Sequence, residues 1–112
     1  MVSSTLVQEI TQLHADFCSA LADSTRLLIL YSLADGSHNV SELTQELGQP
    51  QPTISRHLKI LRDRGLVVAL RQGTMVQYSL TDGRVIEALD ILRSIMRDGI
   101  HKRASFIEEV AL

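Results

Sequence analysis

A chain of 112 residues with a formal net charge of −2 has room for one domain and a modest core, not for a deep enzyme cleft. No apolar run approaches the roughly 20 residues of a membrane-spanning helix, and the N-terminus lacks the basic and continuous apolar regions of a secretion signal. The single cysteine, Cys18, excludes an internal disulfide framework and fits a reducing cytoplasm.

Leu6, Ile10, Leu13, Phe17 and Leu21 recur at heptad-like spacing, and Thr5-x-x-Gln8 has the form of a capping box. Together they predict a first amphipathic helix within residues 1–22. Asp23-Ser24 starts a second helix through Leu27, Leu28, Leu30, Tyr31 and Leu33, which Asp35-Gly36 ends. Asn39-x-x-Glu42 caps a short third helix with Val40, Leu43 and Leu47 inward, stopped at Gly48. After the tight connection "GQPQP" a fourth helix begins around Pro50–Pro52, where proline is tolerated because the first amides lack intrahelical partners. Gly65 terminates it.

The period then changes from helical to alternating. Val68 and Leu70 point one way before a turn around Arg71-Gln72-Gly73-Thr74, and Val76, Tyr78 and Leu80 follow it. This predicts a two-stranded hairpin over 66–81 with a basic, polar tip. Asp82 caps a fifth helix, 84–98, carrying Val85, Leu89, Leu92 and Met96 with Ile86 and Ile95 alongside. Asp98-Gly99 breaks it, and the tail 99–112 either adds a helical turn or two or frays.

The stretch "QPTISRHLKILRDRGLV", Gln51 to Val67, carries the functional signal. Ile54, Leu58 and Leu61 form its buried stripe, while Gln51, Thr53, Ser55, Arg56 and Lys59 give the other face a set of hydrogen-bonding groups with no carboxylate. Residues 1–50 hold one base, Arg26, against six acids, whereas residues 51–74 hold five bases against Asp63 alone. Positive charge is thus gathered on this helix and just beyond it, a footprint for phosphate. The expected fold is mostly α with a small β-hairpin: a single winged helix-turn-helix domain over 1–112, its helix-turn-helix at 39–65 and its wing at 66–81. A helix of this width fits the DNA major groove, whose floor offers acceptors and donors to such side chains. A merely solvated basic face accounts for the charge, but not for the turn, the wing and the donor set together. No Ser/His/Asp or Cys/His constellation, carboxylate pair or phosphate-cradling glycine loop appears, so neither an enzyme nor a cofactor is expected.

"LADSTRLLILYSLADG", "VSELTQELGQPQPTISRHLKILRDRGLV" and "RQGTMVQYSLTD" resemble the ArsR/SmtB family of bacterial winged-helix repressors. The similarity runs from about Leu13 to Met96, and its S-x-H-L-x-x-L-R-x-x-G-L-V run is fairly specific. Membership implies a homodimer joined through the first and fifth helices, 1–22 and 84–98, and repression of a promoter that an inducer relieves. The residues support a dimer separately: Val7, Ile86, Ile91 and Ile95 exceed what one buried stripe requires, although a wider core in a monomer would use them too. Positions matching the family's recognition helix are Gln51, Thr53, Ser55, Arg56 and His57. Gln51, Ser55 and Arg56 are expected at base edges or nearby phosphates, with Arg56 suited to bidentate guanine contact. Thr53 and Lys59 are assigned to the DNA backbone, and Arg71 and Gln72 to the flanking minor groove or its phosphates. His57, beside the apolar stripe, either packs or touches DNA.

The resemblance does not extend to the family's usual metal ligands. Asn39 and Ser41 stand where many relatives have a cysteine pair, and neither supplies a thiolate. Asp82 and Asp98 match a second family site, but Arg84 and Ile95 replace its imidazoles, so no metal ligands are assigned at either place. His14 and Cys18, spaced i, i+4, share a helix face, and His101 could join them across a dimer to suit Zn²⁺ or a similar ion. Alternatively Cys18 is a small buried hydrophobe and His14 an interface residue, or Cys18 forms a redox bond between subunits. An organic inducer at the dimer interface, or regulation through protein partners with no small inducer, also stays open. In every case the DNA partner is expected to be an inverted-repeat duplex operator.

Overall fold

The computed structural model describes residues 2–111, with side chains described for 2–103. The chain divides into two compact units, Met1–Asp82 and Gly83–Leu112.

In the first unit, helix α1 spans Ser4–Ser19. Its cap is Ser3, whose extended backbone lets the hydroxyl accept the Leu6 amide hydrogen bond at 3.1 Å. The cap expected at Thr5 therefore falls two residues earlier and is a single bond rather than a box, since Leu6 stands at its third position and Thr5 already lies inside the helix. A π-helical stretch, Ile10–His14, interrupts the α-helix and brings the Ala15 amide back to the Ile10 carbonyl. Every described side chain up to Ser19 is exposed, so α1 contributes nothing to the core of its own chain before the buried Ala20.

Helix α2, Ser24–Ser32, is capped by Asp23, whose carboxylate accepts the Arg26 amide at 3.1 Å. Its buried side chains are Ile29 and Leu30, continued by Leu33 in the following 3-10 turn. Leu28 is 51% exposed, because two residues of helix carry it roughly 200° away from Leu30. Helix α3, Val40–Leu47, starts with a complete capping box in which the Asn39 side chain accepts from the Glu42 amide and the Glu42 carboxylate accepts from the Asn39 amide. Such a cap contributes on the order of 1 kcal/mol. Gly48, in the left-handed conformation at φ 64°, ends α3 as only glycine does without strain, and Pro50 then precedes helix α4, Gln51–Asp63. Leu43 of α3 and Ile54, Leu58 and Leu61 of α4 are buried to 1% exposure or less, and α4 packs on both α2 and α3.

Strands β1, Val67–Gln72, and β2, Met75–Leu80, pair antiparallel from Val67↔Leu80 to Gln72↔Met75. Both run closer to the tip than the alternation suggested, leaving a two-residue turn of Gly73 and Thr74. Of these two turn residues only Gly73 has a positive φ, the pattern of a type II′ hairpin turn. The buried residue of β1 is Val67, while Val68 and Leu70 face solvent. Val68 and Leu70 thus share a side, as the alternation predicts, and that side is the solvent one. The segment before α3 adds a short antiparallel bridge to β2, with His38 and Tyr78 exchanging backbone hydrogen bonds at 3.0 and 2.8 Å. That bridge ties the hairpin to the start of α3.

The second unit is one helix, α5, Arg84–Ala111. It passes through Gly99 rather than ending there. A glycine inside a helix costs only about 1 kcal/mol relative to alanine, and the good helix formers on either side continue the run. Ile91, Leu92, Ile95, Met96 and Ile100 are all exposed along it. Among the described residues no single helix is long and apolar enough to cross a membrane.

Candidate nucleic-acid interface

Helix α4 separates its chemistry by face. Ile54, His57, Leu58 and Leu61 are buried, while Gln51, Ser55, Arg56 and Lys59 are exposed and Thr53 is half-buried. The division follows from the 3.6-residue period: once the apolar stripe packs on α2 and α3, the polar residues can only point away. No acidic residue lies in the first turn of α4, and no side chain caps it, so the positive end of the helix dipole is left for an external anion.

The cations on this face differ in their commitments. Lys59 pairs with Asp63 at 3.1 Å, and Arg64 pairs with Asp16 of α1 at 3.2 Å. Arg56 is exposed and has no ion pair among the described residues, which leaves its guanidinium available for an external acceptor. Arg62 is likewise exposed and falls on one helical row with Ser55 and Lys59, at i, i+4 and i+7. That spacing, legible from helical period alone, makes Arg62 a further candidate cation on this helix. At the wing, Arg71 and Gln72 close β1 immediately before the turn, both exposed.

His57 does not belong with the exposed set. It is 7% exposed, with its Nδ1 3.2 Å from Arg26 Nη1 and its Nε2 3.9 Å from Asp23 Oδ1. Of the two readings open for His57, packing or DNA contact, its burial against Asp23 and Arg26 of α2 fits packing and takes it off the exposed face assigned to DNA contact. The supporting pair, Asp23 and Arg26, carries no signal in the sequence near His57, since Arg26 lies 31 residues away.

The candidate effector residues are all exposed. His14 ends the π-helical stretch of α1, Cys18 is exposed one turn later, and His101 is exposed on α5. A buried Cys18 is thus not what the single chain contains. Among the described residues of one chain, no group of three or more His, Cys, Asp or Glu side chains is placed to hold a metal ion. Asn39 has its side-chain oxygen engaged with the Glu42 amide at 2.8 Å. The same box holds the Glu42 carboxyl below the usual carboxylate range, chiefly through the Asn39 amide.

Residues 23–68 match the family described as "Bacterial regulatory protein, arsR family". Over 79 residues the chain is 44% identical to the uncharacterized HTH-type transcriptional regulator MJ1325 of Methanocaldococcus jannaschii, an overlap of 70% of this chain and 89% of that protein. The chain belongs to the arsR family. This arsR-family protein is also 32% identical over 81 residues to the "Biofilm growth-associated repressor" of Xylella fastidiosa, covering 72% of this chain and 71% of the other. Its fold matches the solution structure of the homodimeric winged helix-turn-helix DNA-binding domain of Mb0332 from Mycobacterium bovis. That match has a TM-score of 0.76 at 27% identity, over 89% of this chain and 93% of that one. Several mycobacterial relatives are longer, and the arsR-family chain spans 50% to 65% of their length. The architecture is winged helix-turn-helix, with α3 and α4 as the motif and the β1–β2 hairpin as the wing.

Proposed function

We propose that the chain is a homodimeric, sequence-specific repressor that holds an inverted-repeat operator and releases it on receiving a signal. The observation that carries this reading is the division of α4, with Ile54, Leu58 and Leu61 inward and the exposed Gln51, Ser55 and Arg56 outward on an exposed helix face. Arg56 has the geometry of choice for bidentate hydrogen bonds to guanine O6 and N7, and Gln51 and Ser55 suit adenine or mixed edges. Thr53, Lys59, Arg62, Arg71 and Gln72 serve the phosphates and the flanking minor groove, fixing register rather than sequence.

Two further observations support a dimer. Helix α1 exposes Leu6, Val7, Ile10, Leu13 and Phe17, and α5 exposes Ile91, Leu92, Ile95 and Met96, far more apolar surface than a solitary chain keeps in water. The Mb0332 domain is itself homodimeric. Two recognition helices related by a two-fold axis address half-sites about one helical turn, roughly 34–36 Å, or a multiple of it apart. DNA as ligand puts the protein in the cytoplasm.

Footprinting on the DNA upstream of the chain's own gene tests the reading, with affinity expected to fall steeply as salt rises because phosphate contacts release counterions. Arg56→Ala is expected to cost about 1–3 kcal/mol in a binding titration on the protected fragment and to relax preference at one base pair. Unchanged affinity would remove Arg56 from the reading set. For the signal, a metal held by exposed His14 and Cys18 with His101 of a second chain, and a Cys18 bond between subunits, are two alternatives beside an organic inducer or a protein partner. Native mass spectrometry is expected to find metal or an intersubunit bond in the parent and neither in Cys18→Ser. A metal-free dimer with an unmodified thiol sinks the first two and leaves an organic inducer or a protein partner.

A further inference from the structure

Arg26 stands where three segments of the first unit meet. Its Nε donates to the Ala20 carbonyl at 2.7 Å, and Nη2 donates to the Ser19 carbonyl at 3.4 Å. Its Nη1 lies 3.2 Å from His57 Nδ1. A guanidinium can only donate, so Nδ1 accepts, and the proton of the neutral imidazole sits on Nε2, toward Asp23 Oδ1 at 3.9 Å. Asp23 is held in turn, because the same carboxylate oxygen accepts the Arg26 amide as the cap of α2. One side chain thereby ties the end of α1 and the first turn of α2 to the middle of α4, at the residue next to Arg56. The Asp16–Arg64 pair makes a second tie between α1 and the far end of α4.

We propose that Arg26 and His57 are positioning residues for DNA recognition: their hydrogen bond sets α4 against the end of α1, and protonation of His57 opens it and weakens operator binding. This rests on the DNA-binding reading above. The chemistry is a donor conflict. An imidazolium carries hydrogen on both nitrogens, so Nδ1–H would face an Arg26 N–H at 3.2 Å, two donors and two positive charges in contact. The charged groups acting on His57 are Asp23 and Arg26 of α2 and Arg56 of its own helix; α1 brings only backbone carbonyls to this network. Burial lowers the His57 pKa from its ordinary 6.5, Asp23 opposes this, and Arg26 and Arg56 add to the lowering. The folded state therefore favours neutral His57. Its contribution is fully present above pH 6.5 and is lost as pH falls through the lowered value.

If protonation weakens DNA binding, then DNA must lower the His57 pKa further by the same coupling, and one unit of lowering corresponds to about a tenfold change in affinity. The test measures affinity for the protected upstream duplex between pH 7.5 and 5.5 at constant ionic strength, in the parent and in His57→Asn. Asparagine keeps an acceptor oxygen near the Nδ1 position but cannot take up a proton, while His14, His38 and His101 are common to both proteins. The parent is expected to lose affinity on acidification, by at most about tenfold per His57, and His57→Asn to give a flat profile whatever its affinity at pH 7.5. A parent that is flat, or a slope that survives in His57→Asn, overturns the inference. Should the variant not fold, an NMR titration of the His57 ring in the parent decides it: a pKa below 6.5 that falls further with the duplex supports the joint, and one unmoved by the duplex overturns it. Absence of DNA binding at every pH instead overturns the reading on which the joint rests.

Discussion

A chain carrying Leu13→Glu is expected to sediment as single subunits at concentrations where the parent sediments as a dimer. Leu13 is 64% exposed in the single chain, on a stripe with Leu6, Ile10 and Phe17. Burying one leucine contributes roughly 1.5–3 kcal/mol, and two-fold symmetry makes each substitution count twice. A loss of about 3–6 kcal/mol corresponds to roughly 10²–10⁴ in the dimer dissociation constant, before the cost of enclosing two carboxylates is added. Because Leu13 is largely exposed in its own chain, folding of the subunit should change little. Operator affinity should fall with the dimer, since each subunit then holds one half-site. Sedimentation velocity and a gel shift read the two effects together. A Leu13→Glu protein that stays dimeric over the same concentration range would exclude α1 from the interface.

The second large effect is on the fold itself. Leu58, 1% exposed on α4, lies between the reading face and the helices that carry it. Leu58→Ala is expected to destabilise the protein by about 2–5 kcal/mol, the transfer loss of the removed carbons plus the cavity they leave. Set against the roughly 5–15 kcal/mol that holds a domain together, that is a large share. Urea unfolding should show a lower midpoint with a similar slope, because the surface exposed on unfolding hardly changes. A midpoint matching the parent's would mean that α4 is held by something other than its apolar stripe.

How far the sequence could be read depended on the range of the interaction. The stripe Ile54, Leu58, Leu61 and the opposed Ser55, Arg56, Lys59 are set by helical period alone, and both faces stand where that period puts them. Gly48 and Gly73 were legible as a helix stop and a turn because their left-handed backbones are open to few other residues. Caps were less certain. Ser3 and Thr5 carry equivalent hydroxyls, and only the backbone at Ser3, extended rather than helical, decides which one caps α1. Alternation located β1 but not its inner face, since Val67, Val68, Ala69 and Leu70 are all apolar and either face would serve. Gly99 read as a stop because propensity is a weak local term that continuous helix on both sides outweighs.

By itself the sequence determined the order of elements, the helix-turn-helix with its wing, and the concentration of positive charge on α4 and the hairpin. All of these are written in residues a few positions apart, where period, caps and turn chemistry act. Only the tertiary structure decided that His57 turns inward, because the groups that hold it, Asp23 and Arg26, belong to another helix. It also decided that α1 finds no core within its own chain. An apolar stripe states that a surface is to be buried, but what buries it is a property of the assembled molecule.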